Sequence, residues 1–207
     1  HTISTKTDGT IWAWGGNSDG QLGDGTVTYR SSPVQVGALT NWASVACGFW
    51  HTLATKTDGT LWAWGINNYG RLGDGTTTLH SSPVQVGALT NWASVACGFQ
   101  HTLATKTDGT LWAWGGNSDG QLGDGTVTNR SSPVQVGTLT TWVQVSAGWS
   151  HSTAIKTNGT LWAWGRNHVG QLGDGTVTNR SSPVQVGALT TWTDVANGRD
   201  HTLGIRG

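Results

Sequence analysis

Apolar and polar residues alternate along short runs of this chain, and the runs come back at a fixed interval. HTLATKT (51–57) and TLWAWG (60–65) each read as a β-strand, rich in Thr, Leu and Trp. Asp58-Gly59 lies between them and predicts a hairpin with a type I′ turn. A Gly-rich connection (65–76) follows, then PVQV (83–86) and WASVAC (92–97) as two further strands. Pro83 is expected at a strand entrance, where no ladder donor is required. Trp62 and Trp64 are two residues apart and so share one face of their strand.

The interval is fifty residues. His recurs at 1, 51, 101, 151 and 201, with no insertion between. This divides the chain into units 1–50, 51–100, 101–150 and 151–200, with 201–207 as the first strand of a fifth. Four strands per unit of that size predict an all-β fold, a β-propeller of four four-stranded blades in one domain over 1–207. One blade cannot bury both of its faces, whereas blades packed side by side can. Trp12, Trp14, Trp42 and their equivalents in the later units are expected to fill the seams.

Two motifs carry a family resemblance. One is G-x-x-H after a run of small residues, as in VACGFWHTLAT (45–55) and VSAGWSHSTAI (145–155). The other is WGGNSDGQLGDG (14–25 and 114–125), present as WGINNYGRLGDG (64–75) and WGRNHVGQLGDG (164–175). With these motifs in every unit, the chain resembles the regulator of chromosome condensation repeat family of β-propellers. Thr55, Thr105, Thr153 and Asn197 depart from the family pattern without touching its frame. The resemblance implies a ring, usually of seven blades, so four units imply an arc of a larger ring or an open assembly. The family's namesake promotes nucleotide exchange on a small GTPase, which is one functional reading. Some secreted bacterial relatives bind proteins through aromatic loops, which is another.

Units one and two are identical at 39 of 50 positions, so the few differences mark where selection for recognition could act. They cluster. The pair before each His reads Phe49-Trp50, Phe99-Gln100, Trp149-Ser150 and Arg199-Asp200. A second cluster includes Ile66 and Tyr69 in unit two, and Arg166 and His168 in unit four. Both fall in predicted loops, where a rigid scaffold carries recognition, and Phe, Trp, Tyr and Arg are hot-spot residue types. Each cluster is expected to form an arc on one face. A third cluster, which includes Asn129-Arg130 and Asn179-Arg180, reads as drift at solvated loop tips.

Composition narrows the functional classes. Eleven Lys and Arg balance eleven acidic residues, all of them Asp, and 11% of residues are charged. No basic excess is present to neutralise phosphates, so nucleic acid is not expected as a partner. No apolar run is long enough for a membrane helix, and membrane insertion is not expected. The chain has no Met and opens inside a repeat, which suggests an excerpt of a longer chain. The low charge and near-identical units look like a bacterial secreted or surface protein, so an extracellular or cell-surface location is expected.

The chemistry of sites points away from catalysis. Five His at blade spacing are expected to be structural, each hydrogen-bonding neighbouring backbone, rather than a metal ring. The NSDGQLGDGT loops offer calcium-type oxygens without the EF-hand spacing, and read as turns. Cys47 and Cys97 occupy equivalent positions and read as free small core residues, a disulfide being the alternative. Ser31-Ser32 recurs in every unit, and four copies of one loop do not make a singular active site. No metal or cofactor is expected. The leading reading is a non-catalytic scaffold that meets a protein partner through aromatic loops. The alternative is a self-assembling surface or filament repeat, whose partner is the chain itself.

Overall fold

The computed structural model describes residues 1–207 and contains seventeen strands. In chain order they are β1 (Thr2–Thr5), β2 (Ile11–Gly15), β3 (Arg30–Gln35) and β4 (Trp42–Cys47). Next come β5 (His51–Lys56), β6 (Leu61–Gly65), β7 (His80–Gln85) and β8 (Trp92–Cys97). Then follow β9 (His101–Lys106), β10 (Leu111–Gly115), β11 (Arg130–Gln135) and β12 (Trp142–Ala147). The last are β13 (His151–Lys156), β14 (Leu161–Gly165), β15 (Arg180–Gln185), β16 (Trp192–Asn197) and β17 (Thr202–Arg206). One short 3-10 turn covers Asn68–Gly70, and no helix is long and apolar enough to cross a membrane.

The strands form antiparallel sheets ordered β4-β5-β6-β7, β8-β9-β10-β11 and β12-β13-β14-β15. These are blades of a β-propeller. The innermost strands β4, β8, β12 and β16 run side by side around the axis. The blade is out of phase with the sequence repeat, which corrects the division at each His. Trp42–Cys47 closes the first unit but pairs with His51–Lys56 of the second, Cys47 facing Thr52. The chain therefore holds three whole blades rather than four. A three-stranded sheet β1-β2-β3 precedes them and a two-stranded sheet β16-β17 follows.

Two local expectations change for physical reasons. The hairpin between β5 and β6 is not type I′, because Asp58 keeps a negative φ and only Gly59 is left-handed, at +76°. Gly59 N donates to Lys56 O at 2.9 Å and Lys56 N donates to Thr60 O at 3.0 Å. This is a three-residue loop, a type I turn closed by a left-handed glycine. Asp58 Oδ1 holds it by accepting from the Thr60 amide at 2.9 Å and the Thr60 hydroxyl at 2.6 Å. A side chain at Gly59 would also run into the Thr90 carbonyl. Pro83 lies inside β7, not at its entrance. It is tolerated because β7 is the outermost strand and no neighbour needs its missing N–H.

The core sits in the seams between blades. Leu53, Leu61, Ala63 and Val86 of one blade pack on Trp92, Ala104 and Trp114 of the next. The same seam recurs with Ile11, Ala13 and Leu22 against Trp42, Ala54 and Trp64, and with Leu103, Leu111 and Ala113 against Trp142, Ala154 and Trp164. The tryptophan expectation holds for six residues: Trp42, Trp64, Trp92, Trp114, Trp142 and Trp164 are buried. Trp62, Trp112 and Trp162 are half-buried at the seam margin, each with a Lys ammonium over its ring at 3.6–3.8 Å.

Candidate functional site: an aromatic platform at the propeller axis

All three variable clusters lie at one end of the propeller. His51 opposes Gly65, and Gly65 opposes His80, so the loops after β4 and after β6 open on the same side. The residue after each inner-strand glycine then projects next to the axis. This brings Phe49, Phe99, Trp149 and Arg199 together, although each is fifty residues from the next. The Phe99 and Trp149 rings stack, with centroids 3.6 Å apart and planes 11° apart. Phe49 meets Phe99 edge-on at 5.3 Å and Trp149 at 5.4 Å. Trp50 adds a fourth ring, 4.7 Å from Phe49 and 5.2 Å from Phe99. The Arg199 guanidinium lies 4.4 Å above the Trp149 ring as a cation–π pair. Phe49 remains 53% exposed, so the other rings do not cover it.

The platform rims a cleft of about 440 Å³ on the axis. Cys47 and Cys97 line it as free thiols, but only Cys97 packs on a seam as a core residue; Cys47 is exposed, which corrects the expectation for it. Burial pushes the Cys97 thiol well above its ordinary value, so it stays protonated at neutral pH and is a poor nucleophile.

The remaining predicted residues sit outward of the platform. Gln100 and Ser150 present their carbonyls to the next loop, where Gly116 N and Arg166 N donate at 2.7 and 2.8 Å. Ile66 N donates likewise to Trp50 O at 3.0 Å. Asp200 lies 3.5 Å from Arg199 Nε. His168 Nδ1 is 3.4 Å from the Gln171 amide nitrogen. Tyr69 is exposed and is the one non-glycine residue with positive φ, 66°.

Sequence reasoning passed over Arg71, which stands where the other units have Gln21, Gln121 and Gln171. Its side chain is buried and its Nη1 donates to Phe99 O at 3.0 Å. Nε donates to Asn68 O at 3.1 Å. Burial draws this guanidinium down to about 10, still charged at neutral pH. The signal was present as a charge substituted into an otherwise constant motif.

Four of the five repeat histidines, His1, His51, His101 and His151, make a ring contact between blades, and the partner is a hydroxyl, not backbone; His201 is exposed. His51 Nε2 lies 3.3 Å from Thr102 Oγ1, His101 Nε2 2.9 Å from Ser152 Oγ, and His151 Nε2 3.2 Å from Thr202 Oγ1. Each hydroxyl donates onward to a loop carbonyl: Thr102 to Arg71 O at 2.9 Å and Ser152 to Gln121 O at 2.7 Å. The hydroxyl proton is spent there, so the imidazole Nε2–H is the donor between blades. A side chain at Gly98 would run into the His101 ring, which is why this position before the platform is bare. Burial holds His51 well below its ordinary value, His101 at about 3 and His151 at about 4.

The Arg and Asn residues of the third cluster are held within their own loops rather than free at solvated tips. Arg30, Arg130 and Arg180 donate from Nε to Asp24, Asp124 and Asp174 at 2.7, 2.9 and 2.8 Å. His80 Nε2 takes the same place 2.8 Å from Asp74. Asn129 and Asn179 accept from the Asn117 and Asn167 amides at 2.8 Å each. The calcium-type oxygens of these loops are thereby used internally. Asp174 shows the balance: burial alone raises its carboxyl, but donors from Thr176, Arg180 and Asn167 outweigh this and hold it at about 2.

The fold has known counterparts. Human WBSCR16 superposes with a TM-score of 0.89 at 26% identity, over 99% of this chain and 55% of that one. Prp20p of Saccharomyces cerevisiae, described with its binding to Gsp1p and histones, gives 0.87 at 23% identity, over 99% and 53%. The same yeast protein bound to Kap60 gives 0.86 at 22% identity, over 99% and 52%. The chain thus spans about half the length of these relatives. The family model described as RCC1-like domain matches residues 1–207, so the chain belongs to the RCC1-like domain family of β-propellers.

Proposed function

We propose that this chain is a non-catalytic recognition scaffold whose partner is a protein docked on the axial platform. The observation that carries the reading is the convergence of Phe49, Trp50, Phe99, Trp149 and Arg199 on one open surface. Aromatic and Arg side chains clustered at a surface centre are the composition of interaction hot spots. The constant blades supply rigidity, and the platform varies from blade to blade, as recognition requires. A protein partner also has precedent in the family, since Prp20p binds Gsp1p and histones. Its low identity carries neither partner to this chain. An extracellular or cell-surface setting accompanies this reading on composition alone.

The test is affinity capture on immobilised protein from the source organism, read by mass spectrometry. A partner of the platform is retained by the native chain and lost with Trp50→Ala and with Trp149→Ala. It is kept by Val143→Ser, because Val143 is 54% exposed at the opposite end of an inner strand. Retention that ignores all three substitutions overturns the reading.

A further inference from the structure

The axial cleft is chemically one-sided. Phe49, Phe99 and Trp149 wall it, and of the twelve residues that line it only Arg199 is charged. Behind Phe99 lies one further cation, the buried guanidinium of Arg71 on that residue's carbonyl. No carboxylate lines the cleft. Asp200 approaches Arg199 Nε at 3.5 Å, beyond a good hydrogen bond, and the Arg199 side chain is 71% exposed. That guanidinium is therefore free to take a stronger acceptor.

A cationic guest fits badly. It would seek the Trp149 face, which Arg199 already covers at 4.4 Å, and it would meet that like charge with no carboxylate in the cleft lining to receive it. An apolar ring fits better, because Phe49 keeps exposed ring surface at the cleft while Phe99 and Arg199 already take the two faces of Trp149. We infer that the cleft takes an aromatic side chain of a partner polypeptide flanked by carboxylates, the ring against Phe49, Phe99 and Trp149 and a carboxylate on Arg199. This rests on the platform reading above and names the chemistry of its partner.

The test uses two N-acetylated pentapeptide amides. One has phenylalanine between two aspartates, the other phenylalanine between two lysines. Binding to the full chain is read by tryptophan fluorescence and by amide chemical-shift changes. The aspartyl peptide is expected to bind at least about fivefold more tightly, the scale of an exposed ion pair, with the difference shrinking at high salt. Arg199→Glu is expected to reverse the preference, and Phe49→Ser to weaken both peptides. Both side chains are exposed, so the substitutions leave the blades folded. Equal affinity, lysyl preference in the native chain, or a preference indifferent to residue 199 overturns the inference. A captured protein that still depends on Trp50 and Trp149 would then leave the broader platform reading standing.

Discussion

Phe99 and Trp149 stack with ring centroids 3.6 Å apart, although they belong to different blades and lie fifty residues apart in the chain. The contact couples two blades at the axis. Phe99→Ala, Trp149→Ala and the double variant should show a coupling of about 1 kcal/mol in urea denaturation, the usual worth of an aromatic pair beyond its buried area. Purely additive losses would mean the stack adds nothing to stability.

The inter-blade histidines set a pH dependence. An unfolded imidazole takes its proton near the ordinary value of 6.5, whereas buried His101 and His151 take theirs only near 3 and 4. Between those limits the unfolded chain holds more protons, so stability falls as the pH falls. Their contribution is complete above about pH 6.5, and each costs up to about 1.4 kcal/mol per pH unit below it. Thermal melts from pH 7.5 to 4.5 should show a steady fall in Tm. His101→Gln should flatten that fall.

Seam burial separates otherwise similar tryptophans. Trp114 is wholly buried and its Nε1 donates to Arg71 O at 3.0 Å, whereas Trp112 is half-buried. Trp114→Ala should cost about 3–5 kcal/mol, and Trp112→Ala clearly less. Equal losses in denaturant midpoint would contradict the seam as the site of the core.

The aspartate loops are scaffolding. Asp124 accepts from the Thr126 amide and hydroxyl, Asn117 Nδ2 and Arg130 Nε, at 2.7–3.2 Å. Asp124→Ala strands several of these donors and should destabilise by about 2–3 kcal/mol. Arg130→Ala leaves the other donors in place and should cost about 1 kcal/mol or less. Added calcium should not raise the Tm, since the carboxylate is already engaged.

Arg71 can be returned to the motif of the other units. Arg71→Gln should keep the fold, because Gln21, Gln121 and Gln171 are buried in equivalent loops. It removes the donor on Phe99 O, so loosening should be confined to Phe99 and its ring partners. Amide exchange at residues 98–100 should quicken by about threefold or more, with the other loops unchanged.

Much of this molecule is local and could be read along the chain. Alternation in Leu61–Gly65, the glycine after Asp58, and the fifty-residue return of His depend on neighbours in sequence, so strands, hairpins and repeat followed from residue type. The blade boundary did not, because Cys47 meets Thr52 across what looks like a unit end, and pairing partners are chosen by sheet closure. Nor did the pairing of Arg130 with Asp124, which the loop creates by folding back on buried Asn117. The candidate residues were visible as variation on a constant frame. Their union was not. Phe49, Phe99, Trp149 and Arg199 meet only because the inner strands pack around a common axis, and a distance set by rotation about that axis has no trace in linear spacing.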